Sequence, residues 1–139
     1  MIVADTGAIL ALIDTDDRHH LALRPLHNAH PDEWVLPWAI LPEVDYLVMT
    51  QLGAKAQEAF FADVAEGAYQ VEYGKDQDMI RAREISRKYR SLRLGLVDAT
   101  VMAIAERLRA RAIATLDLRH FGAVALSGSP LLIPRDLLV

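Results

Sequence analysis

The sequence has no cysteine, so disulfides and thiolate metal sites are excluded, and any metal must be held by oxygen or imidazole ligands. It has no apolar run near the roughly 18 residues of a membrane span, and nothing in it points to a membrane partner. Asp5 interrupts the N-terminal apolar stretch too early for a secretory signal and no basic leader precedes it, so a cytoplasmic location is expected. An excess of positive charge is missing too. The formal net charge of -4 argues against broad coating of nucleic acid, while permitting a local basic surface. Repeats, low-complexity stretches and linkers are also lacking. What remains is a composition of 53% hydrophobic and 24% charged residues over 139 positions, which fits one globular domain spanning residues 1–139.

The most informative stretch opens the chain. Ile2 to Ala4 form a short apolar run of buried-strand type, and Ile9, Leu10, Leu12 and Ile13 recur at helical intervals after Gly7. Asp5 and Thr6 therefore sit at a strand's C-terminal end, where they either cap the helix or face the crevice in which open parallel sheets bind ligands. A polar break from Asp14 to Arg18 leads to a segment that Pro25 would kink unless it lies near a helix start. His19, His20, His27 and His30 have loop-like neighbours and no carboxylate at a recognisable ligand spacing, so they read as solvated. Trp34 to Pro37 reads as a second strand, followed by a helix with Pro42 in its first turn. Val44, Leu47, Val48 and Leu52 share one arc of that helix, with Glu43 just outside one edge and Asp45 just outside the other. Periodicity does not choose between these two acids.

Gly53 breaks this helix, and Ala54 to Ala65 makes another, whose Phe60 and Phe61 suit core or dimer contacts. Tyr69 to Tyr73 alternates like a strand. From Asp78 to Arg90 a helix is predicted with Met79, Ala82, Ile85 and Tyr89 on one face. Its other faces carry Arg81, Arg83, Arg87, Lys88 and Arg90, opposed only by Glu84. Both a solvated helix surface and a phosphate-contacting flank fit that basic run. Leu94 to Val97 lead into a further helix with Val101, Met102, Ile104, Ala105 and Leu108 as its stripe and Asp98 projecting from the same side. A carboxylate there needs a helix N-terminus, a cation or a metal, because burying an unpaired charge costs several kcal/mol or forces protonation. Ala112 to Asp117 repeats the opening pattern of apolar strand followed by aspartate, with His120 just beyond. Leu131 to Ile133 then suggests a last short strand.

A parallel α/β sheet flanked by helices gathers these acids. Right-handed crossovers put every strand C-terminus and following helix N-terminus on one edge, so Asp5, Glu43 or Asp45, Asp98 and Asp117 converge. Like charges that close disfavour ionisation, and a divalent cation with a preference for oxygen ligands, magnesium or manganese, resolves the conflict. Such a cation can activate water against a phosphodiester and neutralise charge in the transition state.

Asp5-Thr6 after an apolar strand, Pro42-Glu43-Val44, Leu96-Val97-Asp98-Ala99 and Thr115-Leu116-Asp117 followed by His120-Phe121 resemble the motifs of PIN-domain ribonucleases, and most of all those of VapC toxins. The likeness runs through the whole chain in order. It implies a single PIN domain, a magnesium- or manganese-dependent endoribonuclease acting as the toxin of a toxin-antitoxin pair, a homodimer and a VapB-type antitoxin. It also favours Glu43 over Asp45. Carried onto this sequence, Asp5, Glu43, Asp98 and Asp117 are the catalytic acids, with Asp5, Asp98 and Asp117 as metal ligands and Thr6 and Thr115 as supporting hydroxyls. Arg83, Arg87 and Arg90 are the candidate RNA contacts. His120 follows Asp117 closely enough to touch substrate, and a structural role fits it as well.

Three other functions compete. Asp5-Thr6-Gly7 is also the triplet of aspartic proteases, but those place it in an all-β context, whereas helical periodicity follows Gly7, Pro42 and Asp98. A phosphoryl-accepting receiver domain would need an acid pair near the first strand and a lysine after a late strand, which this chain does not have. A PIN-like module that only binds RNA or protein has no physical need for a repulsive four-acid cluster.

Overall fold

The triplet Ile2–Ala4 is strand β1, buried at all three positions, because it lies between β2 (Trp34–Pro37) and β4 (Ala112–Ala114) in a sheet covered on both faces. The structure, a computed structural model describing residues 1–137, adds β3 (Gln70–Glu72) beside β2 and β5 (Leu131–Ile133) beside β4. All pairings are parallel, in the order β3-β2-β1-β4-β5. The expected parallel sheet flanked by helices is therefore present. Strand order reverses direction at β1, so the crossovers leaving β1 and β4 diverge and open a crevice at the sheet's C-terminal edge.

The connecting helices follow the turn chemistry. α1 (Thr6–Ile13) starts directly after Asp5. α3 (Leu41–Leu52) carries Pro42 in its first turn and stops at Gly53, whose φ of 95° is available to glycine without strain, and α4 (Ala54–Ala65) starts at once. The buried side of α3 is Leu41, Val44 and Val48, shifted towards the N-terminus from the expected arc, and Leu52 is 36% exposed. Phe60 belongs to the core, while Phe61 stands 67% exposed.

Three expectations are corrected. α2 (His20–Ala29) holds Pro25 in its middle rather than near its start. The missing N–H deprives the Leu21 carbonyl of its helical donor, which water replaces at little cost because Leu21 is 85% exposed. His27 is not solvated: its ring packs edge-on against Trp34 at 5.2 Å and against Tyr69 at 5.9 Å, and burial lowers its pKa. His20 is tied to the Ala11 carbonyl at 2.7 Å.

The third correction concerns α5, which runs from Asp76 to Lys88 and buries Asp78, Ala82 and Ile85 while leaving Met79 half exposed. A carboxylate fills the slot the apolar pattern gave to methionine. Asp78 accepts the Lys75 N–H at 2.8 Å and is clamped by Arg107 through Nε at 2.7 Å and Nη2 at 3.0 Å. Arg107 ends α6 (Leu96–Arg107), which packs against α5, β1 and β2. Instead of one stripe, α6 is buried continuously from Ala99 to Ala105, the small residues Ala99, Thr100 and Ala103 filling the side that the apolar stripe omits. No helix is long and apolar enough to cross a membrane among the described residues.

Candidate active site

Register decides which residues meet at the sheet edge. Ala4 stands opposite Ala114, so the next residues, Asp5 and Thr115, leave adjacent strand ends together. The Asp5 N–H donates to the Ala114 carbonyl at 2.9 Å. The Thr115 hydroxyl donates to Asp5 Oδ2 at 3.0 Å and accepts the Asp117 N–H at 3.1 Å. Asp5 holds the position before α1 with extended backbone and makes no side-chain capping bond.

Asp117 precedes the short helix α7 (Leu118–Phe121) and accepts the His120 N–H at 3.2 Å. Its other oxygen lies 2.8 Å from His120 Nδ1, which is also 3.2 Å from Asp98 Oδ2 in the first turn of α6. A ring nitrogen between two carboxylate oxygens must carry its proton, so Nδ1 is the donor. Asp98, Asp117 and His120 each offer a ligand atom within 4.8 Å of the others, the one such grouping among the described residues.

The electrostatics tie in the rest. Burial pushes the Asp5 carboxyl up to about 6; the Asp98 and Glu43 charges add to this, while the Thr6 N–H and the Thr115 hydroxyl act against it. Asp98 is likewise raised, first by burial and then by Asp117 and Glu43, with His120 pulling it down. Glu43 is exposed in the first turn of α3. Asp45 instead accepts from Gln57 Nε2 of α4 at 3.0 Å, which leaves Glu43 as the acid of this helix that acts on Asp5 and Asp98. Of the two threonines, Thr115 bridges the acids, whereas the Thr6 hydroxyl is buried without a hydrogen-bond partner. Two carboxylates, Asp98 and Asp117, contact the imidazole, while Asp5 and Glu43 lie outside that close grouping and act on Asp98 or each other by charge; burial makes Asp5 and Asp98 resist ionisation. An oxygen-rich set short of positive charge fits a hard divalent cation.

Arg83, Arg87 and Arg90 are exposed, and none of them forms an ion pair among the described residues. Arg81 differs: it bonds Glu106 at 2.7 Å and Glu84 at 3.1 Å, so it is structural rather than available.

A family model described as the PIN domain matches residues 2–126. The chain belongs to the PIN-domain family. Ribonuclease VapC26 of Mycobacterium tuberculosis is 34% identical over 123 residues, covering 88% of this PIN domain and 91% of that protein. Among solved structures, VapC20 of M. tuberculosis, a sarcin-ricin loop cleaving toxin, superposes with a TM-score of 0.80 at 22% identity, covering 92% of this chain and 98% of its own. A DNA-bound VapBC from Salmonella typhimurium gives 0.73 at 17% identity, covering 94% and 95%. These two establish the same fold. Within this PIN domain, His120 is the residue that sequence reasoning did not place: its only local signal is the three-residue spacing from Asp117, and its contact with Asp98 joins distant parts of the chain.

Proposed function

We propose that this PIN domain is a divalent-metal-dependent endoribonuclease and the toxin of a toxin-antitoxin pair. The observation that carries the reading is the joined set Asp5, Thr115, Asp117, His120 and Asp98 at the sheet edge, with Glu43 acting on it by charge. The 34% identity to a VapC ribonuclease supports the same activity.

In this reading Asp5, Asp98 and Asp117 hold magnesium or manganese. The cation supplies Lewis acidity and charge neutralisation at the scissile phosphate. Thr115 keeps the Asp5 carboxylate oriented and, through the Asp117 N–H, holds both strand-end acids at one spacing. Glu43, exposed and free of Asp45's tie to α4, binds the metal through water or polarises the attacking water in the same reading. Arg83, Arg87 and Arg90 offer free cations to the RNA backbone, which an acidic site cannot attract by itself.

A toxin of this kind needs a covering partner, and the VapBC and FitAcB assemblies among the structural relatives support a VapB-type antitoxin. An apolar cleft of about 350 Å³ between α3 and α4, lined by Leu41, Phe60, Phe61 and Val64, suits an antitoxin helix. An arginine of that partner fits among the acids. Exposed Tyr46 and Met49 on α3 supply apolar surface for the implied homodimer.

The deciding experiment incubates pure protein with a mixed RNA pool and, separately, a peptide pool, with magnesium, manganese or chelator. RNA cleavage that needs metal and disappears in Asp5→Asn is expected. Metal-independent peptide cleavage would return the Asp5-Thr6-Gly7 triplet to the protease reading.

A further inference from the structure

Beyond the acids, the same sheet edge carries two aromatic rings that the core does not use. Trp38 follows β2 and Tyr73 follows β3, and Pro37 stands opposite Glu72 in the register, so both side chains leave neighbouring strand ends at the same level. Their ring centroids are 5.2 Å apart with planes inclined by 32°, yet Trp38 is 50% and Tyr73 71% exposed. The other tryptophan, Trp34, is fully buried. Tyr73 is set by its turn: Gly74 has φ 87°, a conformation strained for other residues, and its N–H donates to the Glu72 carboxylate at 3.1 Å.

The paired rings open onto a groove of about 430 Å³ whose far wall includes Leu96, Val97 and Thr100 of α6 and Met79 of α5. Val97 immediately precedes Asp98, and the Trp38–Ile40 turn packs on α6, so the groove lies against the same helix that carries Asp98 in its first turn. Its charges are largely matched. Asp76 and Lys75 both line it, and Glu72 and Asp78 are already bonded to Arg107. That lining offers phosphate no net positive charge. It suits a flat, neutral heterocycle whose exocyclic amino groups meet acid acceptors while its face lies on an aromatic ring.

We propose that Trp38 and Tyr73 form a stacking subsite for one unpaired RNA base beside the scissile phosphate. The inference rests on the ribonuclease reading and adds how the substrate is held. The subsite accepts single-stranded or looped RNA whose base can leave its stack, and it sets which nucleotide stands next to the cut.

The test has two arms. In the wild-type background, Trp38→Ala and Tyr73→Ala are expected to raise KM for RNA about tenfold or more and to relax base preference at one position beside the cleavage site, while Tyr73→Phe restores both. In the arrested Asp5→Asn background, which needs no cleavage, a short oligoadenylate is expected to quench Trp38 fluorescence, and an abasic ribose-phosphate oligomer of equal length is not. Unchanged KM and cut sites in active alanine variants would overturn the subsite and leave the ribonuclease reading standing. Equal binding of the abasic oligomer would also overturn it. Base-dependent quenching by a protein that cleaves no RNA would uphold the subsite and remove the nuclease. A Trp38→Ala protein that changes oligomeric state with oligonucleotide binding intact would assign the rings to contacts between copies, against the proposal.

Discussion

The Thr115 hydroxyl stands between Asp5 and Asp117, donating to one carboxylate at 3.0 Å and accepting from the other residue's backbone at 3.1 Å. Thr115→Val keeps the shape and removes both bonds. Because the hydroxyl helps to hold the Asp5 pKa down, its loss raises that pKa further, and the acid limb of the pH–rate profile should move to higher pH. A fall of about 10- to 100-fold in kcat/KM is expected, the usual scale for groups that orient metal ligands. Thr115→Ser should recover most of it. An unshifted acid limb in Thr115→Val would show that the hydroxyl does not act on Asp5.

Asp5 makes the metal-free protein less stable as pH rises. Its folded pKa, pushed up to about 6, exceeds the unfolded value of 3.8, so the native state holds the proton more tightly between those values. Stability is therefore lost as pH climbs through that window, and the loss is complete above about 6. The full effect is on the order of 3 kcal/mol at one pH unit per 1.4 kcal/mol. Asp5→Asn should melt higher than wild type at pH 7.5 in chelator and show a flatter pH dependence between 4 and 6. Magnesium at a hundredfold over its dissociation constant should stabilise the wild type by about 2.7 kcal/mol and the variant by less. Thermal scans of both proteins with and without metal read each sign directly, and a variant that melts lower in chelator contradicts the argument.

His120 bridges two of the acids through one ring nitrogen. With Nδ1 at 2.8 Å from Asp117 and 3.2 Å from Asp98, it occupies the place that a cation between those acids would take. His120→Ala should lower the metal-free melting temperature at pH 7.5, because Asp98 then faces Asp117 and Glu43 unrelieved. The magnesium-induced increment should grow, since the metal no longer competes with the imidazole proton. A smaller increment would instead mark His120 as a ligand.

The basic run on α5 and the Arg90–Leu92 turn that follows it is separable from the fold. Replacing Arg83, Arg87 and Arg90 together by glutamine should leave the melting temperature nearly unchanged, raise KM for RNA and reduce the salt slope by about 2, as expected for three phosphate contacts to a single strand. Arg81→Gln is the contrasting control. It breaks the bonds to Glu106 and Glu84, so it should lower stability with little effect on the salt slope.

These relationships differ in how far the sequence reveals them. Asp5 and Asp117 are legible because Asp5 directly follows, and Asp117 stands three residues beyond, an apolar triplet that central parallel strands require, and the strand-end rule then gathers them without coordinates. Glu43 and Asp45 are equivalent by periodicity, and what separates them is a bond to Gln57 on the next helix. The α5 face was misjudged for a similar reason: Asp78 becomes a buried residue through Arg107, 29 positions away, and no local pattern carries that partner. His120 is three residues from Asp117 along a helix too short to show a period, and its second partner, Asp98, is on another element. Local chemistry thus identified the acids, while long-range pairing chose their neighbours.

Strand β1 is made first and its partner β4 last but one, so Asp5 and Thr115, 110 residues apart, become neighbours only when most of the chain has been synthesised. A ribosome-bound fragment ending before Ala112 carries β1, β2 and β3 but lacks Thr115, Asp117 and His120 altogether. The order of synthesis therefore makes this edge a late product of the chain: Asp5 gains its Thr115 partner, and the fold gains Asp117 and His120, only after β4 has been made.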